Sequence, residues 1–435
     1  MRLIYNILFP ICLAISAPFY FLKMWRRGNW RAGFSQRSGR YSGKLKQGLT
    51  NRDVLWLHAV SVGEVNICTR LIQALEPRAP NLKIVVSTTT STGMGELRSK
   101  LPQHVDKIYY PIDAYKFVRR AITTIHPIAI ILVEAEIWPN FLWQATDRNI
   151  PLFLVNARLS EKSFRGYKRF DFLFRPIFKT FAGVGCQDEA DATRLGELGF
   201  PPDNVHVFGN LKFDAAKLDE RRVLHVPDLL AQIGVPANVP ILVAGSTHDG
   251  EEALLAEIFL RLRQRFPDLF LVLVPRHFER GKEVGRALET RGVKFVYRST
   301  ITDATRCAVG EVDCLLVNST GELKFFYEHA SLIFVGKSLT AEGGQNPIEP
   351  GALGKAMIFG PNMQNFAPIA EAFVKRNGAV QVRDEVELEQ AIDSLLADEP
   401  RRLQLGKNAL EVVRENLGAV ERTVEMILAK LPEHQ

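Results

Sequence analysis

The stretch Ile241-Leu242-Val243-Ala244-Gly245-Ser246-Thr247-His248-Asp249-Gly250-Glu251-Glu252 sets the fold expected for the second half of the chain. Four apolar residues lead into small and hydroxyl-bearing residues, and these lead into an acidic segment. A short apolar run of this kind is typical of a strand buried in a parallel sheet. The small residues and the glutamates predict a strand-turn-helix unit whose turn can cradle a phosphate.

Short apolar runs alternate with longer amphipathic segments on both sides of this stretch. One cycle begins at residues 54–58, and a second begins at residues 241–244. The alternation predicts a doubly wound α/β fold, and the restart predicts two Rossmann-like domains facing a cleft. The other predicted strands are 83–87, 128–133, 152–155, two weaker strands near residues 182 and 205, and then 269–274, 293–296, 314–317, 332–335 and 356–359.

Positive charge is concentrated at the start of the chain. Residues 1–50 contain nine Lys or Arg and no Asp or Glu, whereas the other 385 residues carry 46 basic and 48 acidic groups. The alkaline balance therefore does not indicate a general nucleic-acid surface, and we predict no nucleic-acid partner. The five cysteines are scattered and lack zinc spacing, which favours a reduced, cytoplasmic protein.

Residues 3–22 carry no charge and are about as long as a membrane-spanning helix. Lys23 and Arg26 follow, as expected at the cytoplasmic face of a membrane with anionic lipids. This predicts a membrane anchor over residues 1–23. Pro10 and Pro18 leave open a kinked helix that lies in the interface, and a signal peptide and a buried soluble helix are the competing interpretations.

Residues 219–240 contain prolines and lack a strand pattern, so we place the domain boundary there. The predicted domains are 24–220 and 221–435.

Polar residues beyond the carboxyl ends of the strands are the candidates for a site, because ligands bind there in open α/β sheets. Glu64 follows the first strand and can act as a general base. The competing interpretation is a capping box with Ser61, three residues earlier. Glu134 follows the apolar run 128–133, where a charge needs a partner. It can stabilise a cationic transition state or hold a lysine, or it can simply be solvated at a helix start.

Two more segments of the first domain supply hydrogen-bond donors. Residues 156–160 contribute the Asn156 amide and the Arg158 guanidinium. Lys212 can meet a phosphate or a carboxylate, although a surface lysine is more often simply solvated.

In the second domain, Arg276 comes directly after Pro275 and a predicted strand. Its guanidinium suits a phosphate because it stays charged and binds in two-pronged fashion, although an ordinary surface arginine is the alternative. The segment Thr320-Gly321-Glu322 has a glycine that permits close approach of a base or a ribose.

The glycine-rich loop Gly343-Gly344-Gln345-Asn346-Pro347-Ile348-Glu349-Pro350-Gly351-Ala352-Leu353 follows another predicted strand. Its paired glycines allow a ligand to approach the backbone. Asn346 is the predicted N-cap and Pro347 the first helical residue of a helix start that favours an anion. Glu349 can accept hydrogen bonds from ribose hydroxyls. A purely structural strand-to-helix turn is the competing interpretation.

Taken together, these stretches resemble the bacterial Kdo transferase family, which adds 3-deoxy-D-manno-octulosonic acid (Kdo) to the lipid A precursor. The order and spacing of the motifs carry the resemblance, which covers almost the whole chain: 61–64, 134–140, 156–160, 209–214, 245–252, 275–277, 320–322 and 343–349.

The resemblance implies a GT-B fold with an N-terminal acceptor domain and a C-terminal CMP-sugar domain. It also implies that the last helix packs back on the first domain. The implied reaction is inverting and metal-independent, and it needs no cofactor. It transfers Kdo from CMP-Kdo to the tetraacyl disaccharide 1,4'-bisphosphate lipid A precursor, lipid IVA, in lipopolysaccharide biosynthesis. The implied location is the cytoplasmic face of the bacterial inner membrane.

Carried over by position, Glu64 resembles the general base, and Glu134 and Lys212 match positions that stabilise the transition state. Gln345 stands where the family more often has His, and Lys337 where a glycine is common. Gln345 keeps hydrogen bonding but cannot titrate near neutral pH, and Lys337 alters the approach to the donor's charge. The CMP-binding segments match Pro275, Arg276, Thr320, Gly321, Glu322, Asn346, Pro347, Ile348 and Glu349.

Two other functions stay open. The first is another GT-B sugar-nucleotide transferase or an epimerase. The second is a membrane-tethered CMP-sugar-binding protein without turnover, against which the presence of Glu64, Glu134, Lys212 and Arg276 argues.

Overall fold

The structure, a computed structural model, describes residues 2–26, 33–134, 137–216 and 224–431. These residues form two parallel β-sheets. The chain divides into unit 1, Met1–Ala215 with Asn416–Gln435, and unit 2, Ala216–Glu415. The division lies close to the predicted boundary, and Asn416–Gln435 belong to unit 1, the unit on which the resemblance implies that the last helix packs. Part of the predicted linker lies outside the described residues, and the rest includes a helix, Val226–Gln232.

The described part of unit 1 has a seven-stranded sheet in the order β3-β2-β1-β4-β5-β6-β7, with every pair parallel. The first strand lies near the middle because the chain winds outward from it in both directions, as doubly wound folds do. Its strands are β1 Val54–His58, β2 Lys83–Thr88, β3 Asp106–Tyr109, β4 Pro127–Val133, β5 Leu152–Ala157, β6 Phe181–Cys186 and β7 Val205–Val207.

The described part of unit 2 repeats this plan in the order β10-β11-β9-β8-β12-β13-β14, again with parallel pairs. Its strands are β8 Ile241–Thr247, β9 Phe270–Pro275, β10 Phe295–Tyr297, β11 Cys314–Leu316, β12 Leu332–Val335, β13 Met357–Phe359 and β14 Val380–Gln381.

Helices precede, connect and follow the strands. They are α1 Arg2–Arg26, α2 Phe34–Arg37, α3 Gly43–Leu49, α4 Val62–Leu75, α5 Ser91–Lys100, α6 Tyr115–Ile125, α7 Pro139–Thr146, α8 Glu161–Arg169, α9 Asp171–Phe178, α10 Glu189–Glu197, α11 Val226–Gln232, α12 Glu251–Leu262, α13 Gly281–Thr290, α14 Leu323–His329, α15 Ile348–Ala352, α16 Ala367–Lys375, α17 Glu385–Ala397, α18 Glu399–Asn416 and α19 Ala419–Leu428. Short 3₁₀ turns occur at Pro202–Asn204, Leu211–Ala216, Phe278–Arg280, Arg298–Thr300 and Gln364–Phe366.

The prediction of two parallel-sheet α/β units is confirmed, and each predicted strand has a counterpart in the structure. Two edge strands were missed. β3 is half polar because an edge strand has one side against solvent, and β14 has only two residues, too few to show a pattern.

Alternate residues of each strand pack on opposite faces of the sheet. In β1, Val54 and Trp56 contribute to one core, whereas Leu55 and Leu57 contribute to the other. The second core of unit 1 also contains buried residues of α19, so the end of the chain completes it. Burial of this apolar face accounts for the return of the chain to unit 1.

The first turns of helix α1 are hydrogen-bonded to the rest of unit 1. The Tyr5 hydroxyl donates to Asp113 Oδ2 at 2.8 Å, and Asn140 Nδ2 donates to Asn6 Oδ1 at 3.0 Å. Burial raises the pKa of Asp113 to about 7. Within the described residues, no helix has the length and apolar character needed to cross a membrane. Residues 27–32, which carry part of the predicted basic flank, lie outside the described residues.

Candidate active site

Glu64 lies in the first turn of α4, directly beyond the carboxyl end of β1. Its carboxylate accepts hydrogen bonds from the Val60 N–H at 2.8 Å and the Ser61 N–H at 3.2 Å. Its own N–H donates to Ser61 Oγ, which completes the predicted capping box. The capping interpretation is thus confirmed, and it fixes the orientation of the carboxylate that the general-base interpretation needs.

Burial raises the pKa of Glu64 above its usual value. The hydrogen bonds from Val60 and Ser61 lower the pKa, while the negative charge of Glu134 raises it further. The side chain is 7% exposed. A carboxylate with a raised pKa is a stronger base, so this environment suits proton abstraction.

Glu134 and Lys212 lie together beside Glu64. Lys212 Nζ is 3.5 Å from Glu134 Oε1, and a Cβ built on Gly63 would be 3.6 Å from the same nitrogen. Glu134 has a left-handed backbone with φ of 62°, an unusual conformation for a glutamate. The structure therefore brings the predicted Glu64, Glu134 and Lys212 to one edge of the sheet, and we call them the acidic-lysine cluster.

The loop that carries Lys212 is held from several sides. Asn156 Oδ1 accepts from Leu211 N–H and Asn210 Oδ1 accepts from Lys212 N–H, both at 3.0 Å. The Asp214 carboxylate accepts from the N–H groups of Gly418 and Val420, each at 2.7 Å. The start of α19 thus braces the Lys212 loop, a role that sequence reasoning missed because the contact joins residues about two hundred positions apart.

Asn156 is fully buried and also has a left-handed backbone, with φ of 52°. Its Nδ2 atom has no hydrogen-bond partner in the described part of the chain. A buried amide group without a hydrogen-bond partner is energetically costly. Ser160, by contrast, caps α8 by accepting from Ser163 N–H.

His58 does not join the cluster as a base. Its Nδ1 lies 2.9 Å from Ser87 Oγ, and its ring stacks on Tyr110. Burial lowers the pKa of His58 to about 3, so the ring is neutral at physiological pH.

In unit 2, the end of β8 packs tightly against α14, and the turn from His248 follows directly. A Cβ on Gly245 would come within 2.0 Å of the Tyr327 hydroxyl, so only glycine fits there. The Glu251 carboxylate, which is fully buried, accepts hydrogen bonds from the backbone of this turn and of the loop after β12. The predicted phosphate cradle is therefore occupied in part by a side chain of the protein.

Arg276 follows Pro275, the last residue of β9. Its N–H donates to Thr247 O at 2.9 Å, which ties the end of β9 to the end of β8, and its side chain is exposed. Burial raises the pKa of Glu349 and the charge of Arg276 opposes that increase, so the two side chains are electrostatic neighbours, as a shared site requires.

Thr320, Gly321 and Glu322 form the turn before α14. Gly321 has φ of 82°, which explains the glycine. The Glu322 carboxylate is 3.0 Å from Arg298 Nη2 and accepts from the Ser319 hydroxyl. Glu322 thus shapes the turn through its own partners.

The glycine-rich loop has two residues in the left-handed region, Gly343 with φ of 118° and Gly344 with φ of 68°. The prediction of Asn346 as N-cap is wrong by one residue, because Pro347 is the N-cap and α15 begins at Ile348. Asn346 Oδ1 nevertheless accepts from Ile348 N–H at 3.1 Å, the turn that asparagine favours before a helix.

Glu349 lies at the start of α15 and is half-buried. Burial raises its pKa, and Asn346, Arg276 and Lys324 oppose that increase. Unit 2 therefore brings Arg276, Asn346 and Glu349 together. Lys324 was missed by sequence reasoning, although its place in α14, directly after Thr320–Glu322, was a usable signal.

The departure at Lys337 has a structural consequence. Lys337 has φ of 54°, a left-handed conformation that glycine adopts without strain. Its Nζ is 3.6 Å from the position of a Cβ built on Gly343, so the added cation lies against the glycine-rich loop. Gln345 is half-buried in the same loop.

No group of three or more His, Cys, Asp or Glu side chains that could hold a metal ion occurs among the residues that the structure describes.

Comparison with known proteins identifies relatives over nearly the full length. The family model described as 3-Deoxy-D-manno-octulosonic-acid transferase (kdotransferase) matches residues 32–215. The chain is 32% identical to 3-deoxy-D-manno-octulosonic acid transferase of Haemophilus influenzae over 432 residues, 98% of each chain. It is 30% identical to the protein of that name from Bordetella pertussis, over 96% of this chain and 98% of that one.

Among solved structures, UDP-GlcNAc 2-epimerase from Neisseria meningitidis, bound to UDP-GlcNAc, matches with a TM-score of 0.56. The match covers 87% of this chain and all of that chain, at 14% identity. This likeness shows the fold alone, two parallel-sheet α/β units of GT-B-like type.

Proposed function

Because the chain belongs to the 3-deoxy-D-manno-octulosonic-acid (Kdo) transferase family and is a glycosyltransferase, we propose that it transfers Kdo from CMP-Kdo to lipid IVA. The proposed transfer inverts the anomeric centre and needs no metal. The observation that carries this proposal is the acidic-lysine cluster. It places the buried Glu64 carboxylate, whose pKa is raised, beside the ion pair of Glu134 and Lys212 at the carboxyl edge of the sheet in unit 1.

In the proposed mechanism, Glu64 accepts the proton of the acceptor hydroxyl. The hydroxyl oxygen attacks the anomeric carbon of Kdo from the face opposite CMP. The new C–O bond forms as the bond to the phosphate oxygen breaks, and CMP leaves with the electron pair. The N–H groups of Val60 and Ser61 orient the Glu64 carboxylate, and its raised pKa strengthens it as a base.

Glu134 and Lys212 stabilise charge in this scheme. The carboxylate of Glu134 stabilises the positive charge that develops on the sugar in the transition state. The ammonium group of Lys212 stabilises the negative charge on the departing CMP. Their ion pair, with 3.5 Å between Lys212 Nζ and Glu134 Oε1, places the two charges beside each other before substrate binds. Preorganised charges of this kind are effective because they need no reorganisation during the reaction.

Unit 2 is the proposed donor site. Arg276 meets the phosphate of CMP, and the turns 320–322 and 346–349 receive the ribose and base. The exposed Arg276 side chain and the half-buried Glu349 support this assignment, because one presents an exposed cation and the other an acceptor for hydroxyl groups.

We also propose that the protein works at the cytoplasmic face of the bacterial inner membrane. Leu3, Ile4, Ile7 and Leu8 of α1 are more than half exposed, while Tyr5 between them is fastened to unit 1. An apolar row on a helix held against the protein surface suits a helix that lies in the interface with anionic lipids, the interpretation that Pro10 and Pro18 left open.

The test is a transfer assay with purified full-length protein, lipid IVA and CMP-Kdo generated in situ, read by mass spectrometry. We expect the mass of the acceptor to increase by one or more Kdo units, which also counts the additions. An unchanged acceptor, alongside a working control enzyme, would refute the proposal. Binding of UDP-sugars in preference to CMP would instead favour another sugar-nucleotide enzyme.

A further inference from the structure

Glu251 fills an anion-binding arrangement of the protein backbone. It is fully buried at the first position of α12 in unit 2. Its Oε1 accepts from the N–H groups of Ser338 at 2.9 Å and Leu339 at 3.0 Å. Its Oε2 accepts from the N–H groups of Lys337 at 2.7 Å and His248 at 2.9 Å. These four donors occupy the lone-pair sites that a carboxylate offers.

Three of the donors are consecutive N–H groups of the loop after β12. Lys337, the first of them, has a left-handed backbone. Successive N–H groups that converge in this way form a nest, which binds anions such as phosphate in many proteins. In this chain the anion is the carboxylate of Glu251, so the nest is already filled.

The same loop leads into the glycine-rich segment. Lys337 O accepts from Gly344 N–H at 2.9 Å, and Ser338 Oγ accepts from Gly360 N–H at 2.8 Å. A shift at residues 337–339 therefore moves Gly344 and the residues that follow it, Asn346 and Glu349.

We propose that Glu251 is a positioning residue for the donor: its carboxylate acts as a built-in anion that holds the loop from Lys337 to Gly344, and hence Asn346 and Glu349, in the shape that binds CMP-Kdo. The inference rests on the proposed function. Because Glu251 fills the nest, the phosphate of the donor must be bound by side chains, of which Arg276 is the main one, and not by this nest.

The substitution Glu251→Gln tests the charge with little change in volume. Whichever way the new amide turns, its NH₂ group faces two backbone N–H donors in place of an acceptor. The loop amides then lose hydrogen bonds to a charged group, which are stronger than neutral ones. Asp313→Asn is the matched control, because Asp313 is also buried in unit 2 but pairs with Arg263 beside the amino end of β11.

Two measurements on the full-length variants decide the matter. We expect Glu251→Gln to weaken CMP binding in calorimetry by about tenfold or more, and to speed hydrogen exchange at the amides of residues 337–339. Asp313→Asn should change CMP affinity by less than about twofold. Wild-type affinity and unchanged amide protection in Glu251→Gln would overturn the proposal, as would an equal loss of affinity in the control.

Chemical rescue gives a second test. Glu251→Ala leaves the nest empty, so formate should restore both CMP affinity and amide protection, whereas chloride at equal ionic strength should not. A variant that formate leaves unchanged contradicts the proposal. If wild-type protein fails to bind CMP, the proposed function fails, but amide exchange at 337–339 still tests the bracing role of Glu251 independently.

Discussion

Glu64 and Glu251 occupy corresponding places in the two units, since each lies in the first turn of the helix after the first strand of its sheet. Both are buried glutamates that accept hydrogen bonds from backbone N–H groups. Glu64 accepts from two residues of its own turn, whereas Glu251 accepts from four residues in two loops. Two backbone donors reach the Glu64 carboxylate, whereas four backbone donors fill the lone-pair sites of the Glu251 carboxylate.

The surroundings of the two carboxylates extend this comparison. Glu64 keeps some exposure, has a negative neighbour in Glu134 and has a raised pKa. Glu251 has no exposure at all. A glutamate at the same point of a repeated fold can therefore act as a base or hold a loop in place. The number of backbone N–H groups that donate to its carboxylate decides between the two roles.

The largest expected effect is that of Glu64→Gln. We expect kcat to fall by about a thousandfold, because an amide cannot accept the proton, while CMP affinity is unchanged. Glutamine also satisfies a capping box, so helix α4 should persist. Steady-state rates with both substrates saturating give the comparison, with Glu76→Gln at the far end of α4 as the control. Retention of more than a tenth of the wild-type kcat would remove Glu64 from the role of base.

Lys212→Met should have the next largest effect. Removal of the cation leaves Glu134 without its partner and the leaving group without that charge, so we expect kcat to fall by about a hundredfold. The exposed Lys179, at the amino end of β6, provides the control Lys179→Met. If KM for the donor rises while kcat stays constant, Lys212 contributes to ground-state binding and not to the transition state.

Asp214→Asn should reduce kcat by about fivefold and the free energy of unfolding by about 1–2 kcal/mol, since the amide presents a donor to one of the N–H groups of Gly418 and Val420. The double variant with Lys212→Met separates positioning from stability. If Asp214 acts through Lys212, the second substitution adds no further loss in kcat. Additive losses would mean that the two residues act independently.

The smallest effect concerns pH. The raised pKa of Glu64 means that the acid limb of kcat/KM should lie above the pKa of an ordinary glutamate, because only the carboxylate form is a base. Raising the pH should therefore increase kcat/KM but decrease the contribution of Glu64 to the free energy of unfolding. The folded state binds this proton more tightly than the unfolded state, so the contribution of Glu64 to stability is largest below the unfolded pKa and is lost as pH rises through the folded one. An acid limb at the ordinary value would contradict the assigned environment.

Much of the site was predictable from local sequence. The capping box of Ser61 and Glu64 follows from their three-residue spacing, and Glu134 and Arg276 follow from their places after apolar strands. The predicted N-cap, Asn346, lies one residue before the observed N-cap, Pro347. The Asn346 side chain accepts from Ile348 N–H and so forms the turn before the helix. Lys324 was missed although it follows Thr320–Glu322 directly, because its effect on Glu349 depends on a contact that only the fold creates.

The sequence by itself determined the two-unit parallel α/β plan and the strand ends at which chemistry is placed, because apolar periodicity and strand-helix alternation are local properties. Tertiary structure decided the rest. The pairing of Lys212 with Glu134, the bracing of Asp214 by the start of α19, and the four donors on Glu251 join segments that are distant in the chain. Such contacts arise only when the sheets bury their faces, and burial also sets the pKa that suits Glu64 to its proposed task.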